Sequence, residues 1–351
     1  MMTVIRTTFV VLLCSLLASA SASAGPTLLF DPANGKVFYA EDADDQWHPA
    51  SLTKIMTAYI VFEALKAGTI KLDSMITTSE AAHAQPPSKV GLPVGGQMSV
   101  ELGLQALIIK SANDVAVMLA EAVGGSEQAF VDRMNATAKR LGMERTYFVN
   151  PHGLPAPEQV TTARDLARLS MAVVRDFPEH RDRWASSDMR IGKQRLVTHN
   201  GLLTRYEGAD GLKTGFICDS GFNVVASATR DGRQLMAVVL GESSGHERSI
   251  RAASLLDHGF MNYGWKVLFN SPTLDAMPIQ HDARSVVSVR SSVTSWGCNP
   301  RARVARKKSK EAGKSPAKKA AVGKSGTTTA SPAPARKSAA TAEARSTAKT
   351  Q

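Results

Sequence analysis

The residues whose types and spacing are best suited to chemistry are Ser51 and Lys54, in the stretch Pro49-Ala50-Ser51-Leu52-Thr53-Lys54. From residue 52 to 65 the chain is apolar on almost every side, with Ile55, Met56, Tyr59, Ile60, Val61 and Phe62, the pattern of a buried helix. A lysine in the first turn of such a helix is opposed twice. Burial disfavours its ammonium form, and the helix N-terminus is already positive. Both effects drive the amine toward neutrality, where it can accept a proton. Ser51 lies three positions earlier, and such neighbours share a helix face. A hydroxyl beside a neutral amine is the pairing an activated serine nucleophile requires. The competing reading of the tetrad is that Ser51 caps the helix.

Two further clusters follow. Ser111-Ala112-Asn113 falls at the junction of two apolar helical patterns, 100–109 and 115–123, and by itself reads as a capping turn. Lys213-Thr214-Gly215 follows the turn-like Asp210-Gly211 and opens a strand-rich region; by itself it reads as a solvent-facing strand edge. In this order the three motifs resemble those of the penicillin-recognising serine enzymes, with Ser-x-x-Lys, Ser-x-Asn and Lys-Thr-Gly. Within that group the chain is similar to the low-molecular-mass D-alanyl-D-alanine carboxypeptidases of the penicillin-binding protein family. The resemblance spans about residues 25–265 and includes residues 48–57, 109–114 and 210–215 and Asn150-Pro151-His152-Gly153-Leu154.

The resemblance implies an α/β fold of the β-lactamase/DD-peptidase kind, an antiparallel sheet flanked by helices plus a helical subdomain. It implies that Ser51 attacks the carbonyl between the two terminal D-alanines of a peptidoglycan stem peptide, giving an acyl-enzyme and free D-alanine. Lys54 takes the Ser51 proton, and Ser111, between Lys54 and Lys213, passes one to the leaving amine. Asn113 binds the substrate backbone, while Lys213 and Thr214 hold the terminal carboxylate. Gly215 lets substrate lie against the strand edge. The N–H groups of Ser51 and Phe216 form the oxyanion hole. β-Lactams follow as covalent inhibitors, and no cofactor or metal is implied. His199 stands where some relatives carry a carboxylate-binding arginine, and its role is open. Three alternatives use the same scaffold: an endopeptidase acting on cross-links, a β-lactamase with Glu158 as its one candidate deacylating base, and a non-catalytic peptidoglycan-binding module.

The elements that must position these groups are legible in outline. Two short apolar runs flank Asn34-Gly35, a hairpin signal. Gly68 ends the Ser51 helix. Ser126 and Thr162 cap later helices, over residues 128–141 and to about 174. Runs at 222–229 and 234–240 read as a hairpin across Asp231-Gly232, and helical spacing returns at 246–263. The order predicts an antiparallel sheet layered with helices rather than an alternating parallel one. One strand is conceivable over 286–293.

The ends read differently. Residues 1–24, with Arg6, an apolar run at 9–17 and Ala22-Ser23-Ala24, read as a cleaved signal peptide, which places the protein in the periplasm or cell envelope. The expected organisation is then a catalytic domain over 25–270, a poorly defined linker over 271–300 and a disordered tail over 301–351. The formal charge of +11 is a property of that tail, which holds 14 Lys and Arg against two Glu and leaves the remainder near −1. Its composition cannot bury a core. A polybasic segment fits anionic envelope polymers or lipid head groups, and the signal peptide argues against nucleic acid. Cys14 leaves with the signal. Cys218 and Cys298 remain, able to pair in an oxidising compartment, and neither they nor the histidines show zinc spacing.

Overall fold

A computed structural model describes residues 25–268, 271–294 and 297–298. The expected signal peptide and basic tail lie outside the described residues. The chain opens with β1 (Thr27–Phe30) and β2 (Val37–Glu41), paired antiparallel around Asn34-Gly35. The reversal takes six residues rather than two. Asp31 receives hydrogen bonds from the Ala33 amide and the Asn34 side chain, and Gly35 adopts φ +70°. A 3-10 turn at Ala50–Leu52 runs without a break into α1 (Thr53–Lys66), buried on nearly every side as its composition requires. Gly68, at φ +71°, follows its C-terminal residue Ala67.

Next come β3 (Met75–Thr77), α2 (Glu80–Ala84), β4 (Gln97–Ser99) and α3 (Val100–Gln105). The helical pattern at 100–109 is interrupted, because α3 passes into a π-helical turn at Ala106–Lys110. α4 (Asn113–Gly124), α5 (Glu127–Arg140) and α6 (Ala163–Asp176) follow. Ser126 and Thr162 accept from the amides of Ala129 and Asp165, the caps their positions predict. α7 (Arg181–Ala185) and the hairpin of β5 (Asp188–Ile191) with β6 (Gln194–Val197) are unforeseen elements with little apolar periodicity. β7 (Ala209–Ile217), β8 (Gly221–Arg230), β9 (Arg233–Glu242) and α8 (Gly245–Leu268) complete the order.

The five-stranded sheet has the order β2-β1-β9-β8-β7 and every pairing in it is antiparallel. Strand alternation sends Leu29, Val224, Ala226, Leu235 and Ala237 to a core shared with Ala252 and Leu256 of α8. Leu28, Phe30, Val225, Met236 and Val238 face the opposite way, into the larger core with α1 and α6. α1 thus lies between the sheet and the helical subdomain, touching α4, α5 and α6, while the 3-10 turn before it packs on β7. Among the described residues no helix is long and apolar enough to cross a membrane.

The described part of 271–300 holds no strand, so the strand conceived over 286–293 is not formed. That segment has two features a free linker lacks. Arg164, buried on α6, donates to both carboxylate oxygens of Asp44 and to the carbonyls of Leu274, Met277 and Pro278. Cys298 is joined to Cys218 by a disulfide. Polar capture of its backbone and the disulfide, beside the buried Leu274, hold this strap in place without a hydrophobic period.

Candidate active site

The site begins with two strained residues. Ala50 has φ +49° and Ser111 φ +60°, conformations that cost a residue bearing a Cβ about 1–3 kcal/mol each and that the surrounding structure must enforce. Each sits at a bend, the first ahead of α1 and the second between the π-helical turn and α4. The two bends bring Ser51 and Ser111 to one cleft of about 470 Å³. Ser51 is not a helix cap, since no side-chain cap bond is made at the start of the turn or of α1.

Lys54 is 1% exposed. Its Nζ lies 3.1 Å from Ser51 Oγ, 2.8 Å from Asn113 Oδ1 and 2.5 Å from the carbonyl oxygen of His152. Burial, and then the charge of Lys213, hold its ammonium far below the ordinary lysine range. Asn113, the first residue of α4, also donates Nδ2 to the Pro86 carbonyl, and its own amide donates to Ser88. Asp114 accepts from the amides of Val90 and Gly91, so the loop over the cleft is fastened to the same helix.

The opposite wall is β7, the edge strand. Lys213 is buried, with Nζ 3.2 Å from the Thr214 carbonyl, and burial followed by the charge of Arg248 pushes it down to about 7. Thr214, Gly215 and Phe216 line the cleft. A Cβ on Gly215 would stand 2.9 Å from the Pro49 carbonyl oxygen and 3.1 Å from the Ser51 amide nitrogen, so the strand meets the serine turn backbone to backbone. Ser51, Lys54, Ser111, Asn113, Lys213, Thr214, Gly215 and Phe216, separate in sequence, are therefore all gathered at or directly beneath one cleft. Ser111 differs in detail: its buried Oγ has no hydrogen-bond partner, so the direct links to Lys54 and Lys213 are not made here.

Three groups escaped sequence reasoning. Arg248, in the first turns of α8, lines the cleft and donates Nη2 to the His199 carbonyl; burial lowers it to about 10. It places a cation beside His199, whose own pKa is lowered by desolvation and then by Lys213, Lys110 and Arg248. Asn223, fully buried on β8, donates to the carbonyls of His48 and Pro49 and accepts from the Gly241 amide, anchoring the chain just ahead of Ser51. An asparagine inside an apolar strand was the available signal. His152 contributes its carbonyl to Lys54, and its imidazole is pushed down to about 3, by burial and then by Lys54. Glu158 is exposed and is not among the cleft-lining residues.

Residues 16–244 match the D-alanyl-D-alanine carboxypeptidase family, Peptidase_S11. The chain is 40% identical over 247 residues to the D-alanyl-D-alanine carboxypeptidase DacC of Escherichia coli (strain K12), covering 68% of this chain and 62% of that one. It thus spans about six-tenths of that relative's length. Penicillin-binding protein 5 of Haemophilus influenzae superposes with a TM-score of 0.66 at 35% identity, covering 70% of this chain and 73% of the other. Penicillin-binding protein D2 of Listeria monocytogenes, in its cefotaxime-bound form, superposes at 0.62 with 31% identity over 68% of this chain and 97% of its own. The antiparallel sheet, flanking helices and helical subdomain are the DD-peptidase fold of those proteins, and with motifs, cleft and match in agreement the chain belongs to the D-alanyl-D-alanine carboxypeptidase family.

Proposed function

We propose that this chain is a serine D-alanyl-D-alanine carboxypeptidase that removes the terminal D-alanine of peptidoglycan stem peptides and is acylated by β-lactams. One observation carries the reading: the three partners of Lys54 Nζ. Asn113 Oδ1 and the His152 carbonyl can only accept, so together they take two N–H bonds. A neutral amine has only those two, and its lone pair is left for the hydroxyl of Ser51. An ammonium would donate to all three partners, Ser51 included; burial and then Lys213 favour the uncharged amine, to which Ser51 can donate.

Ser51 Oγ attacks the penultimate carbonyl as its proton moves to Lys54. The C–N bond then breaks, D-alanine leaves with a proton delivered through Ser111, and the acyl group remains on Ser51. Water attacks that ester with its proton taken by Lys54, restoring the serine. The amides of Ser51 and Phe216 hold the oxyanion, and losing one such donor costs about 2.7–4 kcal/mol of barrier. Asn113 aligns the stem-peptide backbone. Lys213, Thr214 and Arg248 receive the terminal carboxylate, which gives the free C-terminus preference over a cross-link. The exposure of Glu158 leaves the β-lactamase reading without its deacylating base.

The disulfide supports placing the protein in an oxidising compartment, the periplasm or cell envelope, with residues 1–24 as signal peptide. The basic segment 301–351 is read as an electrostatic tether to anionic envelope polymers or lipid head groups. The catalytic reading is tested with a fluorescent β-lactam and a peptide ending in D-alanyl-D-alanine. The parent should label covalently and release D-alanine, and Ser51→Ala should do neither. An unlabelled, inactive parent that still binds peptidoglycan would leave a binding module in place of an enzyme.

A further inference from the structure

The strap after α8 does more than close the fold, because it ends on the two loops that border the carboxylate end of the cleft. One is the β7–β8 turn. Asp219 there accepts from Ser288 Oγ at 2.6 Å and from Arg290 Nη2 at 2.7 Å, and its carbonyl accepts from the Val289 amide at 3.0 Å. The adjacent Cys218 carries the disulfide to Cys298. The other is the β9–α8 loop, where the Ser243 carbonyl accepts from both the amide and Oγ1 of Thr294, each at 3.0 Å. Val293, between these attachments, is buried. Ile217 precedes the first loop, and Gly245 and Arg248 follow the second; all three line the cleft.

We propose that residues 288–294 with Cys298 are a clasp that positions the carboxylate-binding end of the cleft, the Cys218–Cys298 bond locking the clasp shut. The inference rests on the carboxypeptidase reading and adds to it a specificity determinant outside the three motifs. The division of labour is geometric. Ser51, in the 3-10 turn, and Lys54, in the first turn of α1, are held from α4 and the 150–154 loop. Phe216 is held in register in β7, opposite Phe222 of β8. What lies at and beyond the ladder's end has the clasp as a brace: Ile217, its last residue, then the turn and the loop that leads to Arg248. Ser288, Arg290 and Thr294 are positioning residues, and their influence falls on substrate binding rather than on the acylation step.

The test uses the full chain with Cys218→Ser and Cys298→Ser together, and separately Arg290→Gln with Thr294→Val, which keeps the disulfide should the cysteine variant fail to fold. D-alanine release gives KM and kcat, β-lactam labelling counts competent sites, and hydrogen exchange follows the amides of 217–220 and 243–248. For both variants KM should rise about tenfold while kcat stays within about twofold, the signature of lost ground-state binding after a small misplacement. Exchange should quicken in both loops and not in α1. A lowered melting temperature with KM and loop exchange unchanged would reduce the disulfide to a stabilising cross-link and overturn the clasp; a fall in kcat at constant KM would overturn it too. A parent inert toward both peptide and β-lactam would overturn the carboxypeptidase reading instead, and loop exchange alone would then judge the clasp.

Discussion

At the scale of single residues, the site is two buried lysines asked for opposite protonation states. In the proposed mechanism Lys54 works uncharged, so activity should be lost as pH falls through its depressed pKa. Lys213, as the proposed carboxylate partner, works charged, so carboxylate binding should be lost as pH rises through about 7. A bound carboxylate stabilises the Lys213 ammonium and moves that limb upward. The profile of kcat/KM, which reports the free enzyme, should therefore turn down on the alkaline side at lower pH than the profile of kcat. Rate profiles for D-alanine release from pH 4 to 10 check this, and an alkaline limb that stays put on saturation would contradict the assignment of Lys213. The same depression affects folding. Between the folded and unfolded pKa values the unfolded chain binds the extra proton, so both lysines make stability rise with pH toward 10.5. The Ser51–Lys54 pairing was legible from residue types and spacing, whereas the part assigned to Lys213 came from the family resemblance. Arg248 was not legible, because an arginine in a helix that begins Gly-His-Glu-Arg has nothing in its sequence neighbourhood to mark it as facing a cleft.

At the scale of elements, what matters is how closely backbone meets backbone around the serine turn. Gly153 has φ +87°, and a Cβ there would fall 1.9 Å from the Ala50 carbonyl oxygen, one residue before Ser51. Gly68 has a similar φ of +71° with nothing within 4 Å. The two therefore separate conformational strain from contact. Gly68→Ala should cost about 1–2 kcal/mol with unchanged acylation. Gly153→Ala should add about 1–3 kcal/mol of overpacking and slow β-lactam acylation as well. Thermal melts and labelling rates measure both, and equal labelling rates would show that the 150–154 loop does not support the serine. The periodic elements α1, α5, α6, β8 and β9 followed from pattern and caps. The π-helical turn at Ala106–Lys110 did not, since its residues read as continuous helix and the bend at Ser111 is imposed by what surrounds it. Nor did β5 and β6, which commit only Met189 and Leu196 fully to the core and leave Arg190, Gln194 and Arg195 exposed.

At the scale of the whole molecule, one near-neutral body and one strongly basic segment share a chain. A tether made of 14 cations against two anions should respond to ionic strength, at about 1 kcal/mol per cation near an anionic surface. Deleting 301–351 should shift the protein from the envelope fraction to the soluble one at low salt, and the intact chain should follow at high salt. Unchanged fractionation in both cases would remove the tether. The strap was the least legible large feature, because its few apolar contacts, Leu274, Met277, Val289 and Val293, follow no period and the rest of its attachments are carbonyls, carboxylates and one cysteine pair. Arg164 shows why: its partners at Asp44 and at Leu274, Met277 and Pro278 lie more than a hundred residues away in either direction.

The Cys218–Cys298 bond has one more effect. It closes a covalent ring across a sequence separation of 80, and the ring contains β8, β9 and α8 whole. A protease that nicked the exposed hairpin tip at Asp231-Gly232 would sever the main chain without separating the pieces, since the ring would merely open into a branch still bolted at its base. In a space patrolled by proteases, such a wound leaves a mended-looking molecule rather than two fragments.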